Sequence, residues 1–176
     1  MRPDVRIAIT GTPGTGKAST CTDLAGRGYV ALDLKAEAAR LGHLGPVDAD
    51  GVQEVDVEAL AHDLETPAKV TFMYSHFAHL LPSNIAIVLR CRPKILRQRL
   101  EARGWKPEKV QENVEAEAID VITQEAVEGG APVFEVDTTS TTPSQTADTV
   151  LDLLQGKTKG HEAGSVDWTD EVLSWY

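Results

Sequence analysis

Six residues, "VRIAIT" at 5–10, run without a break into "GTPGTGKAST" at 11–20. The first six are short, apolar and rich in β-branched side chains, as expected of a buried strand. The next ten follow the pattern of a phosphate-binding loop, which asks for Gly, four residues, Gly, Lys and then Ser or Thr. Gly11, Gly16 and Lys17 meet it; Ala18 stands where a hydroxyl normally holds Mg²⁺. A strand that feeds such a loop, with a helix starting at its end, aims backbone N–H groups and the positive helix end at one anion. Glycines at 11, 14 and 16 let the backbone approach phosphate oxygens without a Cβ clash. Lys17 is a mobile point charge for the terminal phosphates. The expected binding set is therefore Gly11, Thr12, Pro13, Gly14, Thr15, Gly16, Lys17, Ala18 and Ser19. Ser19 does not simply replace the missing hydroxyl, because one further residue turns about 100° around a helix axis.

The rest of the chain alternates. A helix is expected from Gly16 to about Ala25, then a short strand within "GRGYVAL" and a helix over 34–42 closed by Gly42. Residues 43–53 are rich in Gly, Pro and Asp and read as a mobile loop. Asp56 can cap a helix through Leu64. "KVTFMYS" and "IAIVLR" read as a third and fourth strand, the latter too apolar for a surface position. Two helices follow over 93–103 and 107–127, then a fifth strand in "PVFEVD". Thr142 and Pro143 supply the cap and first turn of a last helix to Leu154. Strands alternating with helices imply a parallel sheet covered on both faces. Residues 1–155 read as one domain. "GKTKGHEAGS" reads as a flexible linker, and the final "VDWTDEVLSWY" either docks or stays disordered.

The 176 residues suffice for a substantial core. A net charge of −10 argues against a general nucleic-acid-binding surface, while leaving room for a basic protein partner. The two cysteines, Cys21 and Cys91, form no metal spacing or disulfide framework, and a reduced intracellular setting is the expectation, cytoplasmic or, in a eukaryote, also nuclear. No apolar run approaches the ~20 residues of a membrane span.

Five segments, in order, resemble one family. They are "GTPGTGK" at 11–17, "SHFAHLLP" at 75–82, "RLEARGW" at 99–105, "ENVEAE" at 112–117 and "EVDTT" at 135–139. The resemblance covers roughly 5–154 and is to the atypical adenylate kinases of archaea and eukaryotes that assist small-ribosomal-subunit maturation, the nuclear-type adenylate kinase or coilin-interacting ATPase family. It implies a P-loop nucleoside-monophosphate-kinase-like fold with a central parallel sheet of about five strands and a short lid. It also implies phosphoryl transfer between ATP and AMP, ATP hydrolysis, Mg²⁺ as cofactor, and a small-subunit ribosomal protein as partner. The family carries Asp-x-His after the third strand, where this chain has Tyr74, Ser75 and His76. With Ala18, both usual protein anchors for Mg²⁺ are replaced. Mg²⁺ takes many ligands from water and substrate phosphates, so the loss loosens metal position without forbidding binding.

Arg99 and Arg103, four apart, share a helix face and are expected at the transferring phosphates. His76 can orient a water or phosphate. Arg40 is the cation nearest the expected AMP phosphate. Asp33 is a possible substitute acid, although a helix cap accounts for it equally. Trp105 either covers a base or fills a gap between helices. Besides the kinase, two readings remain open: a weakly catalytic nucleotide-binding assembly factor for a ribosomal protein, and a kinase for another small substrate.

Overall fold

Side chains alternate in direction along a strand, so a strand buried on both faces feeds two cores. In β1 (Val5–Thr10), Ile7 and Ile9 enter one apolar cluster with Leu24, Phe72 and Leu89, whereas Ala8 enters the other with Leu34, Leu60 and Met73. The computed structural model, which describes residues 4–176, builds these two cores around a single five-stranded sheet. Its other members are β2 (Val30–Asp33), β5 (Val70–Tyr74), β6 (Ile85–Arg90) and β7 (Val133–Asp137). All pairs are parallel, in the order β2-β5-β1-β6-β7. The first strand thus lies at the centre, and the loop after it opens at the carboxyl end of the sheet, where ligands of open α/β sheets bind.

Helices α1 (Lys17–Gly26) and α7 (Pro143–Leu154) cover one face. The other is covered by α2 (Leu34–Leu41), α3 (Val57–Asp63) and α6 (Val121–Glu128). Local sequence starts several of these helices as expected. Asp56 Oδ1 accepts from Ala59 N at 2.9 Å. Thr142 and Gln145 form a reciprocal capping box ahead of Pro143. Helix α4 (Pro93–Ala102) and α5 (Pro107–Ala118) pack on each other around Leu96, Leu100, Val110 and Val114. Trp105 joins that cluster and fills the gap between the two helices.

Three local expectations are corrected. Residues 43–53 contain a short antiparallel pair, β3 (Leu44–Val47) and β4 (Gln53–Val55), instead of an unstructured loop. Its turn is made by Asp48, whose Oδ1 accepts from Asp50 N and Val52 N. The helix expected over 107–127 is broken into α5 and α6 by Asp120, whose φ is 58°. Aspartate tolerates that left-handed conformation, and its carboxylate is drawn to the buried guanidinium of Arg90. The expected linker is latched to the sheet edge. Glu135 N donates to His161 O at 2.7 Å, and Phe134 and Glu162 form an antiparallel bridge. The tail ends in a short helix, α8 (Thr169–Leu173).

Candidate active site

The loop between β1 and α1 fits only glycine at its tightest point. A Cβ on Gly11 would lie 2.5 Å from Leu89 O. Gly16 precedes α1 with φ 96° and open space where a side chain would stand. No side chain caps α1, whereas Asp33, Asp56 and Thr142 cap α2, α3 and α7. The first N–H groups of α1 are therefore left for an anion at the cleft. Lys17, the first residue of that helix, folds back over the loop and donates to Gly11 O at 2.7 Å and Thr12 O at 3.0 Å. Its pKa is lowered to about 7, chiefly by burial and then by Arg103, with Glu117 and Cys21 opposing.

A cleft of about 380 Å³ opens above the loop, with Lys17, Ala18 and Ser19 on one side and Asp33, Tyr74 and His76 on the other. Asp33 and Tyr74 are register partners at the ends of β2 and β5. Asp33 Oδ1 accepts from Lys35 N and Ala36 N at 3.0 and 3.2 Å, while Oδ2 has no hydrogen bond among the described residues. Asp33 is thus both a helix cap and a carboxylate in the cleft. Burial, then the charge of Asp33, raises the Tyr74 phenol, which stays neutral. His76 sits at the exposed mouth, edge-on to Phe77. Loss of solvation, then Lys17, His79 and Lys35, holds its pKa below the usual value, so the imidazole is neutral at neutral pH.

The two arginines part company. Arg99 is half-buried and spends its guanidinium on backbone carbonyls, Gly14 O at 3.2 Å and Thr138 O at 2.8 Å. It braces the loop against the end of β7. Arg103 closes α4, lines the cleft, and its side chain has no hydrogen bond or ion pair among the described residues. A second recess of about 180 Å³ lies on the far side of the loop, between Arg99, Arg103, Thr138 and Thr146. Arg40 is not brought to the cleft. It is exposed and bound to Glu37 at 2.7 Å, and Lys35 lines the cleft instead. Arg40 lies about 7.5 Å further along the helix than Lys35 and about 140° around its axis, so the two side chains leave in different directions.

Sequence reasoning also passed over Glu117 and Arg90. Buried Arg90 donates to Glu117 at 2.7 Å and Glu135 at 2.5 Å and also pairs with Asp120. Burial alone would lower its pKa, but Glu117, Glu135 and Asp120 outweigh it and hold the charge in place. A charge at the end of an apolar strand was the available signal. Burial pushes the Cys21 thiol up to about 12 and Cys91 up to about 11, so neither is a nucleophile. A larger groove, about 800 Å³, runs along α4, α5 and Trp175 and Tyr176, away from the phosphate loop. The glycine loop, the uncapped helix and Lys17 converge on the smaller cleft. No helix of the described residues is long and apolar enough to cross a membrane.

Comparison with known proteins agrees with this geometry. The family model described as "AAA domain" matches residues 7–120. A protein of Archaeoglobus fulgidus named "Putative adenylate kinase" is 40% identical over 169 residues, covering 94% of this chain and 93% of that protein. One of the same name from Pyrococcus furiosus is 41% identical over 175 residues, covering 96% of each. Among solved structures, a shikimate kinase from Acinetobacter baumannii in complex with shikimate superposes with a TM-score of 0.64 at 16% identity, covering 89% of this chain and 96% of that one. A deoxyadenosine kinase from M. mycoides gives 0.54 at 15% identity, over 87% of this chain and 100% of that one. The structures share the fold, and the sequence relatives settle the lineage: the chain belongs to the family of these archaeal adenylate-kinase-named proteins, within the AAA-domain group.

Proposed function

We propose that the protein is a nucleoside-phosphate kinase of the adenylate-kinase type, converting ATP and AMP to two ADP and also hydrolysing ATP. The observation that carries the reading is the convergence of Lys17, the uncapped start of α1 and the unpaired Arg103 on one cleft. The names of the archaeal relatives support the choice of nucleotide.

Phosphoryl transfer asks the protein for position and charge, and little covalent chemistry. In this reading the loop amides receive the donor phosphates, and Lys17 leaves its carbonyl partners for the terminal phosphoryl. Arg103 compensates the charge that develops on the transferring group, and Arg99 holds the loop rigid beneath it. The recess beside Thr138 suits the adenine side of the donor. Neutral His76 donates its N–H to the attacking AMP phosphate oxygen in transfer, or accepts a hydrogen bond from the attacking water in hydrolysis, and so orients either nucleophile. Lys35 takes the acceptor-phosphate role expected of Arg40.

Bound Mg²⁺ would neutralise the donor phosphates. Among the described residues no three His, Cys, Asp or Glu side chains gather to hold a metal. Phosphates and water would therefore supply most of the ion's ligands, and the free Asp33 Oδ2 would accept a hydrogen bond from such a water. Ala18 offers no oxygen, and Tyr74 offers a neutral one.

The motifs at 75–82, 99–105 and 112–117 extend the reading to small-subunit ribosomal RNA maturation of the 18S/16S type, with a small-subunit ribosomal protein as partner. The acidic chain suits a basic partner. Replacement of both Mg²⁺ anchors favours a second reading, an assembly factor that binds nucleotide and turns it over slowly. Incubation with ATP, AMP and Mg²⁺, following ADP, separates the two. The kinase reading expects ADP well above a Lys17→Ala control. ATP binding without turnover supports the assembly factor, and no nucleotide binding removes both.

A further inference from the structure

Thr12, the second residue of the phosphate loop, is 3% exposed, and its hydroxyl donates to Glu117 Oε2 at 2.8 Å. Its carbonyl is the hub of the loop. It accepts from Thr15 N at 3.3 Å, from Thr15 Oγ1 at 2.9 Å and from Lys17 Nζ at 3.0 Å. Whatever fixes residue 12 therefore fixes the loop turn and the resting place of the Lys17 amine.

Glu117 lies on α5 and is itself 3% exposed. Its other oxygen, Oε1, accepts from Arg90 Nε at 2.7 Å, Cys91 N at 3.2 Å and the indole Nε1 of Trp168 at 3.1 Å. A carboxylate has about four lone-pair sites. This one fills them with a phosphate-loop residue, the end of β6 and the C-terminal segment. Trp168 is seated for the purpose. It is 5% exposed, and the guanidinium carbons of Arg90 and Arg92 lie 5.9 and 5.4 Å from its ring centroid. The segment before it is tied down by Gly164 N and Val166 N, both donating to Glu135 Oε2 at 3.0 Å. Glu135 shares the Arg90 guanidinium with Glu117.

A buried carboxylate behind a loop built for anions opposes its ligand and adds a desolvation cost. Pairing with the buried Arg90 accounts for a charge here, but not for the second oxygen being turned to the phosphate loop. The value of Glu117 lies in what it joins. We propose that Glu117 is a positioning residue for the phosphate loop and that Trp168 acts through it, so that the C-terminal segment is part of the nucleotide site. The inference rests on nucleotide binding at the loop.

The test is calorimetric binding of ADP with Mg²⁺ to the full chain, with melting temperatures recorded for each variant. Trp168→Phe keeps the ring and removes the N–H; Thr12→Val keeps the shape and removes the hydroxyl. Each is expected to weaken ADP binding about tenfold or more, the scale of one lost hydrogen bond to a charged group. Thr12→Ser is expected to bind as the wild type does, and the double variant Trp168→Phe/Thr12→Val no more weakly than Thr12→Val alone. Unchanged affinity in a folded Trp168→Phe chain overturns the inference, as does a double variant in which the two losses multiply. If Trp168→Phe does not fold, Thr12→Val decides alone, since it leaves the tail seated; wild-type affinity there is fatal. A wild-type chain that binds no ADP overturns the nucleotide-site reading and this inference together.

Discussion

Asp33 and Tyr74 stand side by side, as register partners on the adjacent parallel strands β2 and β5, and both line the cleft above the phosphate loop. A carboxylate is absent at position 74 and present one strand away, at the same height. The relationship makes Asp33 the acid best placed for a Mg²⁺-bound water. Asparagine caps a helix about as well as aspartate does. Asp33→Asn should therefore leave the melting temperature nearly unchanged while lowering the Mg²⁺-dependent rate about tenfold or more. A Mg²⁺ titration of ADP formation that matches the wild type would show that Asp33 serves only as a cap.

The double variant Ala18→Thr/Tyr74→Asp returns both usual anchors to the cleft. Its Mg²⁺-dependent rate is expected to rise, with half-saturation at lower Mg²⁺. Placing a second carboxylate beside Asp33 introduces repulsion in the free protein, so stability should fall modestly without Mg²⁺ and recover with it. A well-folded double variant no faster than the wild type would mean that Asp33 already completes the metal environment.

The lowered pKa of Lys17 couples both folding and binding to pH. Below about 7 the lysine is charged in the folded and unfolded chain alike, and its buried charge opposes folding in full. Between about 7 and 10.5 the unfolded chain holds a proton that the folded chain has lost, so this contribution makes stability rise with pH. Bound phosphates favour the ammonium. At about pH 8.5 ATP binding should take up close to one proton, read from calorimetry in buffers of different ionisation heat. Heats independent of the buffer would show that Lys17 is already charged before ATP arrives.

Arg99 and Arg103 should fail differently. Arg103→Ala removes a side chain with no hydrogen-bond or ion-pair partner among the described residues, so stability is expected to hold while kcat falls about tenfold or more. Arg99→Ala strips donors from Gly14 O and Thr138 O, and should lower the melting temperature and nucleotide affinity together. Equal losses of kcat with unchanged stability in both variants would contradict the division between them.

Local chemistry made much of this architecture legible. The unbroken apolar run of Ile7, Ala8 and Ile9 announces a buried strand, and Asp56 and Thr142 start helices because their side chains satisfy nearby N–H groups. The break at Asp120 was not legible, because a good helical pattern runs through it and the deciding partner, Arg90, is 30 residues away. The hairpin at 44–55 hid behind Gly, Pro and Asp, which serve turns and loose loops alike. The tail looked like a linker because its latch is Glu135, a residue of the sheet edge, and not anything in its own composition.

The sequence by itself determined that a buried strand delivers Lys17 and three glycines to the start of a helix, and that Ala18 brings no hydroxyl. These are properties of neighbours along the chain, set by spacing and backbone geometry. Only the tertiary structure decided that Asp33 stands beside Tyr74, that Arg103 stays free while Arg99 is spent, and that Glu117 grips Thr12 across 105 residues. Such contacts come from strand order and helix packing, which bring together side chains that no local period relates.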